Sequence, residues 1–267
     1  MMEIIHGQCA RGHIRFAVFD MNGTLSLLRQ GWQEVMVSAM LAELQQTPAH
    51  ESEPELLRYV SELVTQTTGQ TTSYQMVRLF DEVLKRGGMP ENPLVYKERY
   101  LARLEERIRP RVEALKAGRV TPEDMMVPGT REMLEAMRAR GVTCYLVSGT
   151  YKPYVYDEAD ALQITPYFSG IYGALDNPDL YSKRQFLQEL VKTFLLDGYE
   201  VVSLGDGITE IKEAKDAGAL AVGVASNETT RTGIDERKRE LLIQAGADII
   251  VPDFRELQEL MTYLFDA

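Results

Sequence analysis

Phe16-Ala17-Val18-Phe19 is a wholly apolar run that stops on a carboxylate, Asp20, and two residues later the chain meets Asn22-Gly23, a strong turn signal. A short run with no polar residue at alternate positions belongs to a strand buried on both faces, the mark of a parallel sheet covered by helices. Parallel strands cannot be joined by hairpins, so the rest of the chain must supply helical crossovers. Asp20 then stands at the carboxyl end of its strand, where open α/β sheets hold their ligands. Gly23 and the residues after it are expected to leave backbone N–H groups facing the same point, a nest for an anion.

The chain does not continue at once in the pattern this strand demands. Residues 26–118 contain no convincing strand, and apolar positions recur instead at helical spacing over 32–45, 55–66, 73–85 and 94–115, the last with Pro110 as a point of bending or breakage. From about residue 122 the pattern alternates strictly. Helices are expected over 129–140, 152–162, 183–196, 208–217, 236–245 and 254–264, and strands over 142–147, 171–173, 201–204, 219–225 and 248–251. That alternation specifies an α/β fold, a doubly wound and mainly parallel sheet. The first strand belongs with the later half, so a core of 1–25 and 119–267 carries an inserted all-helical domain, 26–118.

Two further strands end as the first does. Tyr145-Leu146-Val147 runs into Ser148-Gly149, and Val201-Val202-Ser203-Leu204 runs into Gly205-Asp206, with Glu210 four residues beyond. Three apolar strands therefore deliver Asp20, Ser148 and Asp206 to one sheet edge. Each has a plainer reading, a Ser that starts a turn or a Glu favoured in any helix's first turn. Lys183-Arg184 opens a helix, where the macrodipole disfavours cations, so these two need either solvent or an anion.

The apolar strand followed by Asp20, Gly23, Thr24 and Leu25 resembles the first signature of the haloacid dehalogenase superfamily, Asp-x-Asp-Gly-Thr. Ser148-Gly149 resembles its second motif, Lys183 its third, and Gly205-Asp206 with Glu210 its fourth. The helical block between the first two resembles the C1-type cap of its sugar-phosphate phosphatases and β-phosphoglucomutase. The resemblance implies a Rossmann-like core and Mg²⁺ held by Asp20, the backbone carbonyl of Asn22, and Asp206. It implies that Asp20 attacks phosphorus to form an aspartyl phosphate. Ser148 and the backbone near Gly149, Gly23 and Thr24 would hold phosphate oxygens. Lys183 would neutralise charge, and Glu210 would orient a metal-bound water or Lys183. The loop 67–72, with Gln70, is placed like the substrate-specificity loop of relatives such as β-phosphoglucomutase, and its hydroxyls and amide suit a polyol or sugar. An ordinary capping loop accounts for the same residues.

Asn22 departs from the pattern, which has a second Asp there. That Asp donates a proton to the leaving oxygen and then takes one from water, and an amide can do neither. Several accounts stay open: a substitution that traps a complex, a natural enzyme whose leaving group needs little protonation, or a phosphate-ligand binding protein without catalysis. The implied activity is Mg²⁺-dependent phosphoryl transfer on a small phosphorylated metabolite, as a phosphatase or a phosphomutase.

Composition narrows the partners. The net charge of −11 repels nucleic-acid phosphates. A phosphate-ester enzyme tolerates such a charge when a metal supplies the local positive field. Cys9 and Cys144 have no framework spacing, which fits a reducing cytoplasm. His6, His13 and His50 are scattered and are expected on the surface. No secretory leader and no apolar run of membrane length is visible.

Overall fold

The structure is a computed structural model that describes residues 1–7, 11–175 and 183–266. Cys9 and the Tyr181-Ser182 pair lie outside the described residues. Among those described, seven strands form one sheet in the order β1-β7-β6-β5-β2-β3-β4. The strands are β1 (Glu3–Ile4), β2 (Phe16–Phe19), β3 (Thr143–Tyr151), β4 (Gly170–Ala174), β5 (Val201–Gly205), β6 (Leu220–Val224) and β7 (Ile249–Val251). All neighbours are parallel except β1, an antiparallel edge on β7. β1 has no sequence signal: it is two residues long, and Arg239 Nη2 anchors it by donating to Glu3 Oε2 at 2.7 Å.

Alternation along β2 sorts the two layers. Ala17 and Phe19 face a core built with α5 (Thr130–Ala139), α6 (Lys152–Ala161) and α10 (Leu257–Phe265). Phe16 and Val18 face the opposite core, with α7 (Lys183–Thr193), α8 (Ile208–Asp216) and α9 (Glu236–Ala245). β2 is thus buried along its whole length, as an all-apolar strand must be. β2 lies between β3 and β5, so the chain leaves it toward opposite sides of the sheet, and the crevice for a ligand opens at that reversal.

Between β2 and β3 come α1 (Trp32–Leu44), α2 (Glu53–Gln66), α3 (Thr72–Lys85) and α4 (Pro93–Lys116), which bury a separate apolar cluster of their own. Their ends are written in the sequence. Ser52 and Glu55 close a capping box on α2, and Asn92 caps α4 with Pro93 at its first position. α4 runs unbroken through Pro110, so of the expected bend or break the break does not occur. The proline removes one backbone bond, while Tyr96, Tyr100, Leu104, Ile108 and Leu115 bury one face on both sides of it. The two connections between this block and the sheet pair with each other: Leu27 N donates to Met125 O at 2.8 Å and Val127 N to Leu25 O at 2.9 Å. Arg111 Nη1 ties down the first of them by donating to the carbonyls of Leu28 and Gln30, both at 2.9 Å. Among the described residues no helix is long and apolar enough to cross a membrane.

Candidate active site

The register places three strand ends side by side. Phe19 pairs with Leu146 on one side and Leu204 on the other, and Asp20 N donates to Leu204 O at 2.9 Å. Asp20 is therefore held at the lip of the sheet by its own backbone, with Ser148 and Asp206 just beyond the ends of the flanking apolar runs.

Asp20 is buried, and Lys183 Nζ donates to its Oδ1 at 2.5 Å. The same ammonium donates to Glu210 Oε1. A buried cation at the first residue of α7 thus finds two carboxylates, which offset both its desolvation and the helix dipole. Arg184 next to it is exposed and pairs with Asp216 at 3.2 Å. Burial pushes the Asp20 carboxyl up to about 7; Lys183 opposes that rise, and Glu210 and Asp206 add to it. Burial likewise raises Glu213 to about 7, against Lys183 and with Glu210. The site is short of positive charge.

Asp206 is fixed from behind. Lys238, on α9, donates to its Oδ2 at 2.8 Å and to Glu228 Oε1 at 2.7 Å. Burial lowers the Lys238 pKa, but Asp206 and Glu228 outweigh it and keep the ammonium charged. Gly23 lets this carboxylate come close: its φ is +74°, and a Cβ there would stand 2.0 Å from Asp206 Oδ2. Its N–H does not face an anion, because it donates to Ser26 O at 2.9 Å, and the amides of Leu25 and Ser26 both donate to Met21 O. The expected nest is corrected to that extent: the turn itself uses the amides of Gly23, Leu25 and Ser26. Thr24 is fully buried, with a hydroxyl that has no partner, and does not line the cavity.

Asn22 Nδ2 donates to Thr150 Oγ1 at 3.0 Å, while its Oδ1 is buried without a partner. Ser148 Oγ accepts from Thr150 N at 3.2 Å. Gly149 is where the helical block touches down: a Cβ would lie 2.9 Å from Gln70 O. Thr209 Oγ1 donates to Thr68 O at 3.0 Å and Gln70 Nε2 donates to Thr209 Oγ1 at 3.1 Å. Loop 67–72 is thus seated on the strand ends. A cavity remains beneath it, walled by Asp20, Asn22, Ser148, Gly149, Lys183 and Asp206 from the sheet side. Gln70 lines it too, whereas Glu210 sits behind Lys183 and outside it. Arg29, Trp32, Gln75 and Tyr100 complete the opposite wall, and none of them carries a motif. Lys238 was equally silent in the sequence, being a helix lysine like many others.

The donors suit a hard divalent cation. Among the described residues no group of three or more His, Cys, Asp or Glu side chains is arranged for a metal, so a metal here would have to rest on two carboxylates and a backbone carbonyl. Each carboxylate gives one oxygen to a lysine and keeps Asp20 Oδ2 or Asp206 Oδ1 without a hydrogen bond among the described residues. Free carboxylate oxygens with room for waters fit Mg²⁺.

A family model described as haloacid dehalogenase-like hydrolase matches residues 14–218. The phosphoglycolate phosphatase of Escherichia coli strain K12 is 25% identical over 125 residues, 47% of this chain and 50% of its own length. The chain thus spans about half the length of the curated relatives it matches. A crystal structure described as a predicted phosphoglycolate phosphatase from Haemophilus somnus 129PT superposes with a TM-score of 0.61 at 21% identity, over 93% of this chain and 98% of that one. β-Phosphoglucomutase from Clostridium difficile superposes with a TM-score of 0.59 at 15% identity, over 94% and 97%. At these identities the superpositions speak for the fold alone.

Proposed function

The chain belongs to the haloacid dehalogenase-like hydrolases, and from that premise we propose that it is a Mg²⁺-dependent phosphatase of small phosphorylated metabolites of the sugar-phosphate type. The supporting observation is Asp20, a buried carboxylate at a strand end that lines the cavity, with one oxygen held by Lys183 and the other without a hydrogen bond among the described residues. Residues 26–118 act in this reading as a cap that excludes water while the ester reacts. The names of the relatives, phosphoglycolate phosphatase and β-phosphoglucomutase, agree with phosphate-ester chemistry and leave a mutase as the second reading.

Asp20, Asp206 and the carbonyl of Asn22 would hold Mg²⁺, which supplies positive charge to phosphate oxygens when bound. One Asp20 oxygen forms a bond to phosphorus as the bond from phosphorus to the ester oxygen breaks. Lys183 and the Ser148 hydroxyl balance charge on the phosphoryl oxygens. Water then attacks the aspartyl phosphate, which releases inorganic phosphate and returns the carboxylate. Glu210 acts through Lys183, as a positioning residue. The leaving oxygen must take a proton, and Asn22 has none to give, so solvent supplies it and turnover is slow on alkyl esters.

The test is phosphate release over a panel of esters, run on the protein and on Asn22→Asp in parallel. General acid–base help is worth about 10²–10⁴-fold, so alkyl esters should gain at least about 100-fold in kcat and an aryl ester less. No gain on any ester would remove the phosphatase reading and favour a phosphate-binding protein.

A further inference from the structure

We propose that the cavity wall supplied by the helical block is a subsite for a neutral, polyhydroxylated body, and that Arg29, Gln75, Tyr100 and Trp32 select it. The inference rests on the phosphate-ester reading and goes beyond it, because it rejects esters that carry a second anion.

Three nearly buried polar side chains of this wall keep an atom without a partner. Arg29 is 8% exposed; its Nε and Nη2 donate to Glu158 Oε1 at 2.9 and 2.6 Å, and its Nη1 has no hydrogen bond among the described residues. Tyr100 is 3% exposed, and its hydroxyl has none either. Burial pushes the Tyr100 pKa up, so this phenol stays protonated and can donate as well as accept. Gln75 is 3% exposed; its Nε2 donates to Thr67 Oγ1 at 3.3 Å, and its Oε1 is left over. All three line the cavity that holds Asp20. These three atoms make no hydrogen bond within the described residues and lie where water in the cavity reaches them, so hydroxyls of a ligand can replace that water. Trp32 and Leu104 add apolar surface beside them, which suits the C–H face of a sugar.

Charge decides between a hydroxyl and a carboxylate. Glu158 holds Arg29 through two nitrogens and is itself buried, so the pair is neutral as a unit. A carboxylate brought to Nη1 would enter beside Glu158 with no spare cation. The other cation lining the cavity among the described residues is Lys183, which already serves Asp20 and Glu210. A hydroxyl takes a hydrogen bond from Nη1, or exchanges one with Tyr100, without that repulsion.

The test uses the full chain and two ester sets, polyol and hexose phosphates against phosphoglycolate and 3-phosphoglycerate, with an aryl phosphate as reference. Both kcat/KM and Kd from calorimetry are measured on the protein, Tyr100→Phe and Glu158→Gln. The polyol set should be preferred at least about tenfold, the worth of one or two hydrogen bonds. Tyr100→Phe should raise KM and Kd for that set about fivefold more than for the aryl ester. Glu158→Gln frees the Arg29 charge and should move the preference toward the carboxylated set. If Glu158→Gln does not fold, the Tyr100→Phe comparison carries the test. Equal or better use of carboxylated esters by the unmodified protein overturns the inference while leaving the phosphatase reading intact. Preferential binding of polyol phosphates without turnover of any ester does the reverse. Failure to bind any phosphate ester removes both.

Discussion

Gly69 is one of the points at which the helical block bears on the sheet edge, and Gly69→Ala measures whether that seat matters. The glycine has φ +89°, and a Cβ there would lie 2.2 Å from Glu210 Oε2, more than 1 Å inside ordinary contact. Glu210 has no room to yield. Its Oε1 is held by Lys183, and its Oε2 is buried. The loop must therefore lift by about 1 Å, which is enough to cost about 100-fold in a site that depends on closure. The left-handed backbone costs Ala a further ~1–2 kcal/mol, a loss of a few degrees in Tm. Gly118→Ala separates the two effects, since Gly118 has φ +66° with nothing within 4 Å of the added Cβ. It should lower Tm similarly and leave kcat/KM on an aryl phosphate as it was. If Gly69→Ala keeps kcat/KM within about twofold of the parent, the loop need not be seated on Glu210 during the reaction, and the cap reading of residues 26–118 fails with it.

Two other perturbations probe separate parts of the structure. Asp206→Asn should weaken Mg²⁺ binding in calorimetry by about tenfold or more, yet leave the fold intact because Lys238 keeps Glu228 as partner; undiminished Mg²⁺ affinity would move the metal elsewhere. Glu82→Gln tests the helical block. Burial alone would raise the Glu82 pKa, but hydrogen bonds from Lys85, Tyr59 and Arg86 hold it at about 2, below its unfolded value of 4.5. A lowered folded pKa stabilises above the unfolded value and loses that contribution as pH falls from about 4.5 toward 2. The variant should be less stable by about 3 kcal/mol near pH 7, with the gap closing over that window; a gap that persists unchanged at pH 2.5 would assign the loss to packing.

The sheet and its edge were legible because they depend on local pattern. A run such as Phe16-Ala17-Val18-Phe19 can be satisfied only by burial on both faces, and three such runs bring their terminal polar residues to one edge whatever fills the rest. Lys183 was legible for a related reason, since a cation at a helix start needs an anion and finds Asp20 and Glu210. Arg29 was not. Its meaning comes from Glu158, a distant residue on α6, and an arginine after two leucines has no period or motif to mark it. Lys238 was hidden in the same way. Gly69 looked like punctuation between two helices, although its more demanding constraint is Glu210 on the sheet side. Gly23 shows the converse error. Its place after Asn22 was correctly read as a turn, but the turn closes on its own amides and leaves none at Gly23 for phosphate.

Charge ties these features to Asn22. Asp20, Asp206, Glu210 and Glu228 face Lys183 and Lys238, so the carboxylates outnumber the ammoniums; burial is the main cause of the raised Asp20 pKa, and Glu210 and Asp206 add to it against Lys183. On the proposed reading, a phosphate dianion would enter such a site together with a divalent cation. An Asp at position 22 would add one more acid beside the cavity and would replace the amide that Thr150 now accepts from. On the proposed reading, Asn22 would lighten the negative charge that a bound phosphate meets, at the expense of the proton the leaving group needs. The two consequences separate in kinetics. Asn22→Asp should raise kcat on an alkyl ester by more than it raises kcat/KM, and inorganic phosphate should inhibit the variant less tightly than the parent. If phosphate binds the variant more tightly, Asn22 is not relieving charge, and its effect is confined to proton transfer.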